Sequence, residues 1–184
     1  EKAHYSPGAG MFIIKLIADK NSRKLLGVQV LGSGAVDKVT DVGVVALTMG
    51  ATIDQLQNMD MAYAPPFSTA IHPFVTAINV LKNKLEGKMD SMTPAEFMQG
   101  KAEGYRIVDA ALMPSISGAP YVDLNTVTGE VKGLGKEEIL LLICNKGKRA
   151  YLLQNRLRFF GYTNTKVLEG GLAVNVMPKQ SGQV

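Results

Sequence analysis

A chain of 184 residues that is 46% apolar and 20% charged has room for one large domain or two small ones, with the composition of a soluble globular protein. A formal charge of +4 favours anionic partners in general, but no Lys/Arg-rich run with interleaved aromatics is present, so nucleic acid is not an expected partner. The single cysteine, Cys144, excludes an internal disulfide and fits a reducing, cytoplasmic compartment; no apolar run approaches the roughly 20 residues of a membrane span, and no signal peptide is visible.

In chain order, the sequence begins at Glu1 and runs almost at once into the apolar "MFIIKLIA", so it reads as a piece of a longer protein. "MFIIKLIADKNSRKLLGVQVLG" predicts a β-hairpin: two β-rich runs flank a polar turn from Asp19 to Lys24. "GAVDKVTDVGVVALTMG" has helical spacing and stops at Gly50, a suitable C-terminal cap. "TIDQLQNM" predicts a short helix capped by Thr52, and the prolines of "AYAPPFS" exclude regular structure there. A helical pattern returns from Ser68 to Lys84, with Pro73 in its first turns or kinking it, and His72-Pro73 as a helix-start pair. "EGKMDSM" is the most linker-like stretch, which divides the chain into residues 1–86, a linker at 87–92 and a second domain at 93–184.

In the second domain, Thr93, Pro94 and Glu96 spell a capping box. "YRIVDA" reads as a strand, "MPSISGAPYVDLNTVTGEVKGLG" as turn-rich and irregular, and "EILLLIC" as a fully buried strand. "RAYLLQNRLRFFG" is an amphipathic helix ending at Gly161, and "TKVLEGG" a further strand with a glycine turn. The fold class expected is an α+β first domain, a hairpin plus helices with the domain itself truncated, followed by a small α/β domain with a parallel sheet.

The chemistry centres on strand, "CNKGKR", then helix. A tight loop opening into a helix N-terminus points backbone N–H groups inward and adds the positive end of the macrodipole, conditions that favour a thiolate at Cys144. Asn145, Lys146, Gly147 and Lys148 form an anion-binding loop in this reading, and Arg149 adds a third cation. The bland reading is a small buried core residue at a strand end. Cysteine phosphatases need a C-x5-R loop, and Arg149, five positions after Cys144, is one residue short of that.

The shorter loop resembles that of rhodanese sulfurtransferases, and "ILLLICNKGKRAYLLQNRLRFFGYTNTKVLEGGLAVNV" resembles that family's C-terminal half throughout, as "MTPAEFMQ…YRIVDA" resembles its opening helix and first strand. The resemblance implies a persulfide carried on Cys144 with Arg149 assisting. The chain departs from the family in reading Asp109-Ala110-Ala111, where an arginine usually stands at the third position. The connection to the cysteine strand also looks short.

The stretch from "HYSPGAGMFIIKLIADK" through "LGVQVLGSG" to "AYAPPFSTA" resembles the C-terminal interface domain of flavin-dependent pyridine nucleotide–disulfide reductases, closest to the coenzyme A-disulfide reductase branch. That resemblance implies a homodimer and, in a longer parent, FAD, NAD(P)H and coenzyme A as cofactors. It also implies that Tyr5 and Tyr63 reach towards the CoA side of the partner's active site. Low-molecular-weight persulfide, polysulfide or thiosulfate would be the sulfur source. "LGSGAVD" is not taken as a dinucleotide fingerprint, because Asp37 holds its third glycine position and its strand is a hairpin arm. His4, His72 and the methionines of "NMDM" and "KMDSM" have no metal-ligand spacing, so no metal is expected. A non-catalytic dimerisation and docking module with a degenerate rhodanese domain is the alternative.

Overall fold

A computed structural model describes residues 7–177, and the chain divides into two compact units at Glu86/Gly87. Tyr5 and His4 lie outside the described residues.

The first unit opens with the expected hairpin, β1 (Phe12–Ala18) against β2 (Leu25–Gly32), antiparallel from Phe12↔Gly32 to Ala18↔Leu25. Its turn is organised by the Asp19 carboxylate, which accepts from the backbone N–H groups of Asn21 and Ser22 and from the Ser22 hydroxyl. Helix α1 (Val36–Thr48) ends in a Schellman motif. Gly50, in the left-handed region at φ +61°, donates to the Leu47 carbonyl, and Ala51 donates to that of Ala46. Within α1, a Cβ on Gly43 would stand 3.0 Å from both Val28 methyls, so glycine sets how closely helix and sheet approach.

Helix α2 (Ile53–Gln57) carries the Thr52–Gln55 capping box. Helix α3 (Pro73–Leu85) starts five residues later than the Ser68 expected from the pattern. Pro73 takes its first position, where the missing N–H costs nothing, and the His72 imidazole caps it by accepting from the Phe74 N–H at 3.3 Å. Leu25, Val39, Ile53, Leu56, Phe74 and Ile78 form the buried core beneath the hairpin.

The second unit is a four-stranded parallel sheet in the order β3-β6-β5-β4, formed by β3 (Ser91–Met92), β4 (Arg106–Asp109), β5 (Leu140–Ile143) and β6 (Thr165–Leu168). Strand β3 falls inside the stretch expected as linker; it pairs Ser91 with Val167 and Met92 with Leu168, and the buried Gln154 side chain brackets the Asp90 backbone just before it. Helix α4 (Pro94–Met98), with its Thr93–Glu96 capping box, and helix α5 (Lys148–Phe159) complete the unit.

The unbroken apolar run of β5 is explained by burial on both faces. Leu140 and Leu142 pack with Val108, Leu153, Leu157 and Tyr162, while Leu141 and Ile143 pack with Met92, Phe97 and Leu168. Between β4 and β5 the chain is irregular except for a 3₁₀ turn at Leu124–Thr126. Part of that segment extends the sheet: Asp109 donates to the Pro120 carbonyl and accepts from the Val122 N–H, each at 2.9 Å.

Candidate functional site

Cys144 follows the last residue of β5, and α5 begins at Lys148, so strand, loop and helix stand as the sequence predicts. Gly147 is the residue that lets the loop close: at φ +89° it caps α5 in the left-handed region, which other residues adopt only with strain. The Cys144 residue is 3% exposed and belongs to the core cluster on the α5 side. Its Sγ accepts from the Gly147 N–H at 3.2 Å and the Ala150 N–H at 3.4 Å. Two amide donors from the start of a 12-residue helix are thus aimed at one sulfur.

The loop is held from below by the turn that follows β6. Leu172 N–H donates to the Cys144 carbonyl and Ala173 N–H to that of Asn145, at 3.0 and 2.8 Å. Gly170 and Gly171 both have positive φ, and the Asn175 side chain pins this turn by donating to the carbonyls of Glu169 and Gly171.

The expected loop residues divide into two groups. Asn145, Lys146 and Lys148 are exposed, and neither lysine carries an ion pair among the described residues. Arg149 is engaged elsewhere. Its Nε donates to the Ala110 carbonyl at 3.3 Å and its terminal nitrogen to Asp123 Oδ1 at 3.0 Å. Asp123 was not signalled by the sequence, because an acid in a turn-rich stretch has no local mark of a partner 26 residues away. Asp109, at the end of β4, is fully buried, and its carboxylate accepts from the N–H groups of Ala111, Ser115 and Ile116 and from the Ser115 hydroxyl. Ala111, in place of the family's arginine, is itself buried.

Tyr63 is exposed on the first unit. The "LGSGAVD" turn does not fit a dinucleotide. It joins an antiparallel hairpin arm to α1, and a Cβ on Gly32 would stand 2.3 Å from the Met11 carbonyl oxygen, so that glycine answers to β1 rather than to a pyrophosphate. Among the described residues no cluster of His, Cys, Asp or Glu could hold a metal ion, and no helix is long and apolar enough to cross a membrane.

Two family models match the chain: the pyridine nucleotide-disulphide oxidoreductase dimerisation domain over residues 1–74 and the rhodanese-like domain over residues 77–174. The NAD(P)H coenzyme A polysulfide/persulfide reductase of Pyrococcus horikoshii is 36% identical over 81 residues, 44% of this chain and 18% of that protein. The coenzyme A disulfide reductase of Staphylococcus epidermidis is 38% identical over 71 residues, 39% of this chain and 16% of its own length. The chain thus spans less than a fifth of these curated relatives. Among solved structures, an NAD-dependent persulfide reductase from A. fulgidus superimposes with a TM-score of 0.84 at 31% identity, and the reduced Bacillus anthracis CoADR-RHD with 0.84 at 28%. Each match covers 94% of this chain and 32% of the other. The chain belongs to the rhodanese-like family, its rhodanese-like domain following a dimerisation domain of the pyridine nucleotide-disulphide oxidoreductases.

Proposed function

We propose that the second unit transfers sulfur through a persulfide on Cys144. The observation that carries this reading is the Sγ of Cys144 under two amide donors, Gly147 and Ala150, in a loop whose remaining cations face solvent. The Cys144 thiolate attacks the outer sulfur of a persulfide, polysulfide or thiosulfate. The new S–S bond forms as the old one breaks, and the leaving thiolate or sulfite departs with the electron pair. The product, a Cys144 persulfide anion, keeps its charge on the outer sulfur beside the loop amides. A second nucleophile then attacks that outer sulfur, and the Cys144 thiolate leaves. No electrons are gained or lost over the cycle.

In a longer parent, this sulfur becomes available to a flavin- and NAD(P)H-dependent half that reduces persulfide, polysulfide or CoA-disulfide. The names of the P. horikoshii and A. fulgidus relatives support that coupling. In this reading the flavin and nicotinamide sites lie in other parts of that parent. The first unit supplies a homodimer contact in this reading. Its exposed Leu31, Val45, Met49, Phe67 and Ile71 are the apolar surface available for it, with Tyr63 exposed as well.

Intact mass after incubation with thiosulfate or an organic persulfide tests the proposal. The expected result is the gain of one sulfur atom, reversed by a thiol reductant and absent from Cys144→Ser. No gain in the folded protein would leave a docking module with a rhodanese fold.

A further inference from the structure

Arg149 has the charge for an anion ligand, yet its contacts describe another role. The side chain leaves the first turn of α5 and reaches both ends of one stretch of chain: the Ala110 carbonyl, just after β4, at 3.3 Å, and Asp123, just before the 3₁₀ turn, at 3.0 Å. Between those ends the stretch is tied to itself. The Asp109 carboxylate gathers Ala111, Ser115 and Ile116, and the Tyr121 hydroxyl donates to the Leu112 carbonyl at 3.0 Å. Asp123 is fixed in turn, because its Oδ1 also accepts from the Asn125 N–H at 3.1 Å. The guanidinium therefore closes the 110–123 segment at its base and fastens it to the start of α5. The next residue along, Ala150, is one of the two amide donors on the Cys144 sulfur.

We infer that Arg149 and Asp123 together form a positioning strut that sets the Ala150 N–H against Cys144 Sγ, and that the charge meeting an incoming anion is carried by Lys146 and Lys148. The inference deepens the sulfur-transfer reading by separating the residue that orders the loop from those that attract the donor. The planar fork matters because it holds two acceptors in fixed directions from two separate nitrogens, whereas a lysine offers one nitrogen on a flexible stem. The carboxylate already on Arg149 offsets its charge, whereas the two lysines are exposed and free of ion pairs among the described residues.

The test reads Cys144 itself, so it does not depend on turnover. Alkylation rates of the folded chain are compared for iodoacetamide, which is neutral, and iodoacetate, which is an anion of similar size. Arg149→Gln, Arg149→Lys and Asp123→Asn are each expected to slow both reagents by a similar factor, about threefold to tenfold, without lowering the iodoacetate-to-iodoacetamide ratio more than about twofold. The Lys146→Gln/Lys148→Gln double variant should lower that ratio several-fold and leave the iodoacetamide rate nearly unchanged. If Arg149→Gln alone collapses the ratio, Arg149→Lys restores it and Asp123→Asn changes nothing, then Arg149 is a direct anion ligand and the strut is overturned. A wild-type thiol that neither reagent reaches until the protein unfolds would overturn it too. Asp123→Asn, which keeps an acceptor oxygen, serves if Arg149→Gln does not fold. Persulfide formation measured in parallel separates the two readings: a missing sulfur adduct with the expected alkylation pattern removes sulfur transfer and leaves the strut standing.

Discussion

A Cβ placed on Gly171 would stand 1.9 Å from the carbonyl oxygen of Cys144 and 2.8 Å from the Asn145 backbone. The turn after β6 thus touches the cysteine loop backbone to backbone, and that contact lets Leu172 donate to the same oxygen at 3.0 Å. Gly171→Ala has to displace the Cys144–Asn145 peptide as well as hold φ at +54°. A loss of about 2–4 kcal/mol is expected, read as a lower melting temperature of the second unit. Gly87→Ala, at φ +69° with nothing within 4 Å of the new atom, isolates the conformational part, about 1–2 kcal/mol. Equal losses from the two would show that crowding under Cys144 plays no part.

Asp109 is the second structural dependency of the site. Its buried carboxylate is matched to donors only, so Asp109→Asn puts an NH₂ group where an N–H of Ser115 or Ile116 already points. Roughly 1–3 kcal/mol should be lost. Protease cleavage should concentrate in residues 110–123 before the rest of the domain is cut, and cleavage spread evenly over the second unit would argue against a local role.

The Thr93 cap predicts a specific acid response. The Thr93 backbone N–H, then its hydroxyl, hold the Glu96 carboxyl down at about 2 from the ordinary value of 4.5. The stability this contributes is present above the ordinary value and is lost as pH falls through the folded one. Thr93→Ala should cost about 1 kcal/mol at neutral pH and make the acid decline of the second unit shallower between those limits, by chemical denaturation across that range. An unchanged acid slope would detach the cap from the titration.

His72 acts in the same sense through a different cause. Burial, and then the nearby positive charge of Lys38, push its imidazole below the ordinary 6.5. The neutral ring is the form whose Nδ1 accepts from Phe74 at the start of α3, so protonation removes the cap as it adds charge. The contribution is full above the ordinary value and is lost as pH falls through the lower folded value. His72→Asn, a cap that does not titrate, should flatten the loss of first-unit stability between neutral pH and about pH 5. Parallel melting curves for both proteins would reject it.

Where local chemistry dictates the outcome, the sequence is sufficient. The Thr52 cap and the Thr93 box, the Gly50 and Gly161 stops, the hairpin and the doubly buried β5 all appear where their residues place them. Strand β3 escapes because two residues have no periodicity and their pairing is set by β6, 76 residues further on at Ser91↔Val167. The late start of α3 escapes because Ser68, though in helical phase, is used in the preceding turn, where it donates to the Ala62 carbonyl. The cysteine loop is legible from strand, glycine and helix. The destination of the Arg149 side chain is not, since a basic residue beside a cysteine looks the same whether it faces an anion or a carboxylate in a distant turn.

The order of the strands has a consequence for how copies of the chain can meet. In the cysteine-bearing unit, residues 120–122 run alongside the end of β4, and the opposite edge, β3, is only two residues long. Such a sheet offers no extended template for strand addition by another polypeptide. The hairpin of the first unit has longer strands, seven and eight residues; Ala51 pairs with the start of β2, its carbonyl accepting from the Leu25 N–H at 3.0 Å, and no third strand runs along the rest of either arm among the described residues. Aggregation from partly unfolded protein should therefore begin at β1 or β2, and charged substitutions on that hairpin, rather than around Cys144, are the ones to improve solubility.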